Sequence, residues 1–134
     1  MKQEELKALL PHRGPMLLLD EAKKLDGEAI ASYTVTGKEF FLQGHFPGQP
    51  VVPGVILCEM MGQSACVLLD FQGAIPYLTG LNKVKFKNKV LPGDKVVLKS
   101  RIIKSRPPFY FIKAEGFVSD KLCVSGELSF ALIK

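Results

Sequence analysis

Apolar and polar positions along the 134-residue chain change period several times, and each change marks an element. Residues 3–10 (QEELKALL) predict a short amphipathic helix that Pro11 ends. The stretch PHRGPMLLLDEA follows as a turn and an apolar run. Residues 28–37 (EAIASYTVTG) partly alternate and are rich in β-branched residues, which predicts a strand. Residues 38–53 form a Gly/Pro loop in which Pro47, Pro50 and Pro53 recur at a spacing of three. From Gly54 to about Phe71 the run has helical length and good helix formers. Strand-like pieces fill the rest, over 80–90, 94–104, 108–118 and 122–133. Pro92-Gly93-Asp94 turns between the first two, and Ser119-Asp120-Lys121 breaks the last two into a hairpin. The expected organisation is one domain over residues 1–134, a strand, one long helix and then four strands. An antiparallel sheet with one helix packed on it is α+β.

The helix stands out. Val55, Ile56, Leu57, Cys58, Met60, Met61, Ala65, Val67, Leu68 and Leu69 cover nearly every angle around its axis, so it should be buried on all sides. Its polar members are Glu59, Gln63 and Ser64. Glu59 and Gln63, four apart, share a face with the small Gly62 and Cys66. A narrow polar stripe therefore runs along an otherwise apolar rod.

Bulk properties narrow the class. Hydrophobic residues make 47% of the chain and charged residues 23%, as in a soluble globular protein. No apolar run approaches the length that spans a bilayer. The start MKQEELKALL carries acids where a secretory leader would be basic and then apolar. A cytoplasmic protein is the expectation. Cys58, Cys66 and Cys123 make no metal-ligand spacing and read as reduced, buried thiols. No metal site is expected.

The loop and the helix together suggest chemistry. A carboxylate at position 59 of a buried helix is costly unless paired or protonated, and desolvation favours the proton-carrying form. Gly54 opens the helix after Pro53, so its N–H is a free donor at the positive helix end, suited to polarising a carbonyl. Glu59 lies about 7 Å further along the axis. His45 lies just before the prolines, which would hold it over the helix start. A base, an acid and an oxyanion donor would then surround one small volume. Read singly, each residue also fits a plain role: His45 a bonded turn histidine, Glu59 a side chain reaching out through a gap. His12, in PHRGP, reads as structural.

GHFPGQPVVPG with an acid on the next helix resembles the FabZ-type (3R)-hydroxyacyl-carrier-protein dehydratases. LLPHRGPMLLLDEA, LNKVKFKNKVLPGDKVVL and GELSFAL extend the resemblance over nearly the whole chain. It implies a hotdog fold, a curved antiparallel sheet wrapped around one long central helix. It also implies a homodimer with shared active sites, often built up as a trimer of dimers. By position, His45 would take the proton next to the thioester. Glu59 of the other copy would help the 3-hydroxyl leave, the Gly54 N–H would polarise the carbonyl, and Gln63 would orient Glu59. No cofactor is implied. Gly14, Glu21 and Gly62 depart from the family's pattern without touching these residues.

Charge adds a partner. The chain carries +5, and residues 83–106 hold nine of its eighteen basic residues with one acid, Asp94. Lys83, Lys85, Lys87 and Lys89 alternate, which on a strand puts all four on one face with Val84, Phe86, Asn88 and Val90 towards the core. A solvated face is one reading. An acidic acyl carrier protein steered to a tunnel mouth is the other, and the resemblance favours it. Nucleic acid fits poorly, since no exposed aromatic would interleave the lysines. Competing activities are a combined dehydratase and trans-2 to cis-3 isomerase, a hotdog thioesterase and a non-catalytic carrier-binding scaffold. Phe46, Phe109, Tyr110 and Phe111 are candidates to line or gate a tunnel.

Overall fold

The computed structural model describes residues 1–46, 48–69 and 74–133. Its elements are α1 (Gln3–Leu9), β1 (Glu21–Leu25), β2 (Glu28–Thr34), α2 (Gly54–Cys66), β3 (Ile75–Phe86), β4 (Lys95–Arg106), β5 (Phe109–Val118) and β6 (Lys121–Ile133). One 3-10 turn, Phe40–Leu42, precedes α2. The strands form one antiparallel sheet in the order β1-β2-β4-β5-β6-β3.

Helix α2 touches β2, β4, β5, β6 and β3, five neighbouring strands. Five strands span about 19 Å when flat, at about 4.8 Å apart. A helix with its side chains is only about 10–12 Å across. The sheet must therefore curl around the helix, which is the hotdog arrangement. Met60, Met61 and Ala65 of α2 pack with Leu98, Ile112, Val124 and Leu128 of the sheet in a core closed to solvent.

Several element boundaries differ from the expectation. Strand β1 was not anticipated. Asp26-Gly27 joins it to β2 as a two-residue turn, with both φ values positive (51° and 81°) and Leu25 opposite Glu28. Asp-Gly is the residue pair such a turn demands, so the signal was in the chain. The predicted strand 28–37 ends at Thr34, and the one predicted at 80–90 runs instead from Ile75 to Phe86. Helix α2 ends at Cys66, and its chain continues in tight turns to Leu69. The expected helix end at Asp70 and Phe71 lies outside the described residues, as does Pro47.

The helix is also not buried all round. Val55 is 76% exposed and Glu59 is half-buried, although Ile56 to Cys58 and Met60 to Cys66 are buried. One stripe of α2 faces a cleft instead of the core.

Candidate active site

Glu59 stands on that open stripe. Gln63, one turn on and fully buried, donates through Nε2 to Glu59 Oε2 (3.0 Å) and to the Met16 carbonyl (2.6 Å). Its Oε1 accepts the Leu18 N–H (2.8 Å). Both amide hydrogens are thus committed, and the loop at 16–18 is tied to the helix and to the carboxylate. His12 Nε2 lies 3.3 Å from the same Oε2. The Arg13 guanidinium holds the loop carrying His12 by donating to the carbonyls of Leu10, His12 and Lys7.

These contacts correct the expectation that Glu59 would be neutral. Burial is the largest influence and pushes its carboxyl up. The hydrogen bonds from His12 and Gln63, with the charge on His12, outweigh it and hold the carboxyl below the usual 4.5. Glu59 is ionised in this state. His12, read as structural, belongs to the site.

Glu59 and His12 line a cleft of about 380 Å³ with Gly62, Tyr77, Leu81 and Phe130. Apart from these polar groups its wall is largely apolar, as an acyl chain requires. Phe46, Phe109, Tyr110 and Phe111 do not line it. The aromatic rings that do are Tyr77 and Phe130.

His45 sits on the loop before α2 and is not part of that cleft. Glu39 anchors the start of this segment by accepting from the Tyr33 hydroxyl (2.8 Å) and from the N–H groups of Thr36 and Gly37 (2.8 and 2.9 Å). The Val51 N–H donates to the His45 carbonyl (2.9 Å), closing the loop on itself. The ring stacks on Phe46 with centroids 4.3 Å apart, and Nδ1 lies 3.0 Å from the Val51 carbonyl oxygen. A carbonyl can only accept, so Nδ1 carries the hydrogen. In the neutral ring Nε2 then keeps its lone pair, as a base needs.

Gly54 is the first residue of α2, so its N–H has no acceptor within the helix. A Cβ there would stand 2.9 Å from the Phe86 ring, which leaves no room for a side chain unless the ring moves. In front of this helix end lies a depression of about 500 Å³ bordered by Val51, Gly54, Val55, Phe86, Lys87 and Lys89.

The four lysines do not share one face. A bulge between Asn82 and Lys85, with Lys83 at φ 54°, breaks the alternation, and the strand ends at Phe86. Lys83 turns to Glu127 (3.5 Å), while Lys87 and Lys89 border the depression at Gly54. Phe86, expected in the core row, is 54% exposed. Asn88 is exposed as well and donates to the Leu122 carbonyl, whereas Val90 is buried.

Comparison with known proteins decides the family. The family model for ApeI-like proteins, described as ApeI dehydratase, matches residues 21–127. The 3-hydroxyacyl-[acyl-carrier-protein] dehydratase FabZ of Clostridium perfringens is 42% identical, covering 98% of this chain and 99% of its own. The same enzyme of Syntrophobacter fumaroxidans is 43% identical, covering 89% and 85%.

The chain belongs to the FabZ family of dehydratases.

It is thus a hydro-lyase, and its fold is shared with solved structures. The ApeI:P dehydratase heterocomplex of Xenorhabdus doucetiae superposes with a TM-score of 0.82 at 21% identity, covering 96% of this chain and 91% of that one. PaaI of E. coli, from a phenylacetic acid degradation operon, superposes at 0.67 with 16% identity, covering 83% and 81%. At such identities these two speak to the fold alone. The three cysteines of this FabZ-family chain are free and buried, and burial pushes the Cys66 thiol up to about 12, with the charge of Glu59 adding to it. Among the described residues no helix is long and apolar enough to cross a membrane, and no group of His, Cys, Asp or Glu could hold a metal.

Proposed function

We propose that this chain removes water from (3R)-hydroxyacyl thioesters of acyl carrier protein, giving the trans-2-enoyl thioester in fatty acid elongation. The observation that carries the reading is Glu59, a carboxylate set by Gln63 into an otherwise largely apolar cleft. His45 Nε2 takes the proton from the carbon next to the thioester. The charge that builds on the carbonyl oxygen meets the Gly54 N–H at the positive end of α2. Glu59 delivers a proton to the departing 3-hydroxyl.

His45 and Glu59 act together across two copies of the chain. Within one protomer, His45 does not line the cleft of Glu59. Strand β3 forms the sheet edge and exposes Ile75, Tyr77, Leu78 and Leu81. An exposed apolar edge of that length invites pairing with a second copy. Pairing there would cover the cleft, the bare Val55 and the edge at once. The ApeI:P structure, itself a complex of chains, supports this reading, and a trimer of dimers would be built from the same unit. The enzyme works in the cytoplasm with its carrier protein docked beside Lys87 and Lys89.

His45→Ala tests the reaction. The variant should keep its melting temperature and lose about 10²–10⁴ in kcat on a hydroxyacyl-carrier-protein substrate. A folded His45→Ala enzyme turning over like the wild type would refute the assignment of the base.

A further inference from the structure

Glu59 presents a difficulty that the proposed chemistry leaves open. It has to hand a proton to the leaving hydroxyl, yet two donors converge on its Oε2 and keep it ionised. One of them, Gln63, is locked by its bonds to Met16 and Leu18. The other is not locked. His12 Nδ1 is buried with no hydrogen-bond partner among the described residues. In the neutral ring an orphaned N–H would cost more there than an orphaned lone pair, so the hydrogen sits on Nε2, 3.3 Å from Glu59 Oε2. The contact with Glu59 is the one polar contact of the imidazole among the described residues. Nothing polar resists its swinging away.

We propose that His12 is a positioning residue that clamps the Glu59 carboxylate in the substrate-free enzyme and is displaced when the substrate's 3-hydroxyl takes its place. This rests on the dehydratase reading. Once His12 lets go, the larger effect of burial is left opposed by Gln63 alone, and an acyl chain that expels water from the cleft strengthens it. Glu59 then takes up a solvent proton. In the reaction the C2–H pair becomes the C2–C3 π bond, and the C3–O pair leaves with the oxygen. The Glu59 proton completes the water. His45 keeps the α-proton until solvent accepts it, and solvent recharges Glu59. The other titratable groups facing Glu59 are Cys58 and Cys66 of α2 and Tyr77 of β3. Burial pushes both thiols up, so neither competes as an anion. No Lys, Arg or Asp among the described residues lines the cleft.

The test compares His12→Leu, which removes the donor, with His12→Gln, which keeps an N–H at a similar reach. The Glu59 carboxyl is followed by carbon NMR in the substrate-free protein and assigned by its disappearance in Glu59→Gln. In His12→Leu its titration midpoint should rise, and the limb of the kcat/KM profile that Glu59 sets should move to higher pH with it. In His12→Gln both should stay near the wild type. If Leu at position 12 prevents folding, His12→Ala carries the same expectation. An unmoved midpoint in the folded variant overturns the proposal, as does an equal rise in His12→Gln. The NMR midpoint needs no substrate, so a raised midpoint in a protein without dehydratase activity would sink the functional reading and leave the clamp standing.

Discussion

Gly62 shows how much of the site is decided by single atoms. It lies on the open stripe of α2, and a Cβ there would meet the Phe130 ring at 3.6 Å and Leu128 at 3.7 Å, ordinary contact distances. The residue therefore leaves a methyl-sized space in the cleft while weakening the helix. Gly62→Ala should stabilise the fold by about 0.5–1 kcal/mol, chiefly by restricting the unfolded chain. Thermal melts should show a rise of roughly 2–6 °C. A fall in melting temperature would mean that the helix cannot accept the methyl. Other residues of the site differ in how far they were legible. His45 and Glu59 stood out as candidates because each breaks its local pattern, a histidine in a stiff loop and an acid on an apolar helix. His12 was not, because PHRGP reads as a turn. Its partner Glu59 is 47 positions away, and only folding brings the two within 3.3 Å. The signal available was its rarity, since the chain has just two histidines.

At the scale of elements, periodicity located the helix and most strands but not where the period fails. Strand β3 reads as a clean alternation of lysines, yet its bulge and the left-handed Lys83 redirect them. A bulge leaves no reliable mark in a sequence, because one extra residue shifts every later side chain to the other face. The extent of α2 was overread for a related reason: Val67 to Leu69 are apolar, with Val67 and Leu69 buried and Leu68 partly so, but they close in tight turns. The corrected geometry sharpens the docking proposal. Lys87 and Lys89 border the depression at Gly54, whereas Lys83 is engaged by Glu127. Replacing both Lys87 and Lys89 with Glu should raise KM several-fold for a substrate on an acidic carrier protein, with a weaker dependence on salt. KM for the same acyl chain on a small thiol should not change. Equal effects on both substrates would show that these lysines serve the fold or the chemistry instead.

The whole molecule brings the account to its central claim, that one active site needs two chains. The curved sheet and its helix were legible as a class, since an apolar helix among strands can only be wrapped by them. How the curling sheet leaves one stripe of α2 bare beside an uncovered edge strand was not, because exposure depends on where the sheet stops. That bare stripe carries Glu59, while His45 stands outside its cleft. Two inactive variants, His45→Ala and Glu59→Gln, can therefore be unfolded or co-expressed together and allowed to pair. A mixed dimer holds one site with both residues intact and one site with neither. With random pairing, the mixture should recover about a quarter of wild-type turnover on a hydroxyacyl-carrier-protein substrate. A mixture of verified mixed dimers that stays as inactive as its parents would contradict the shared site.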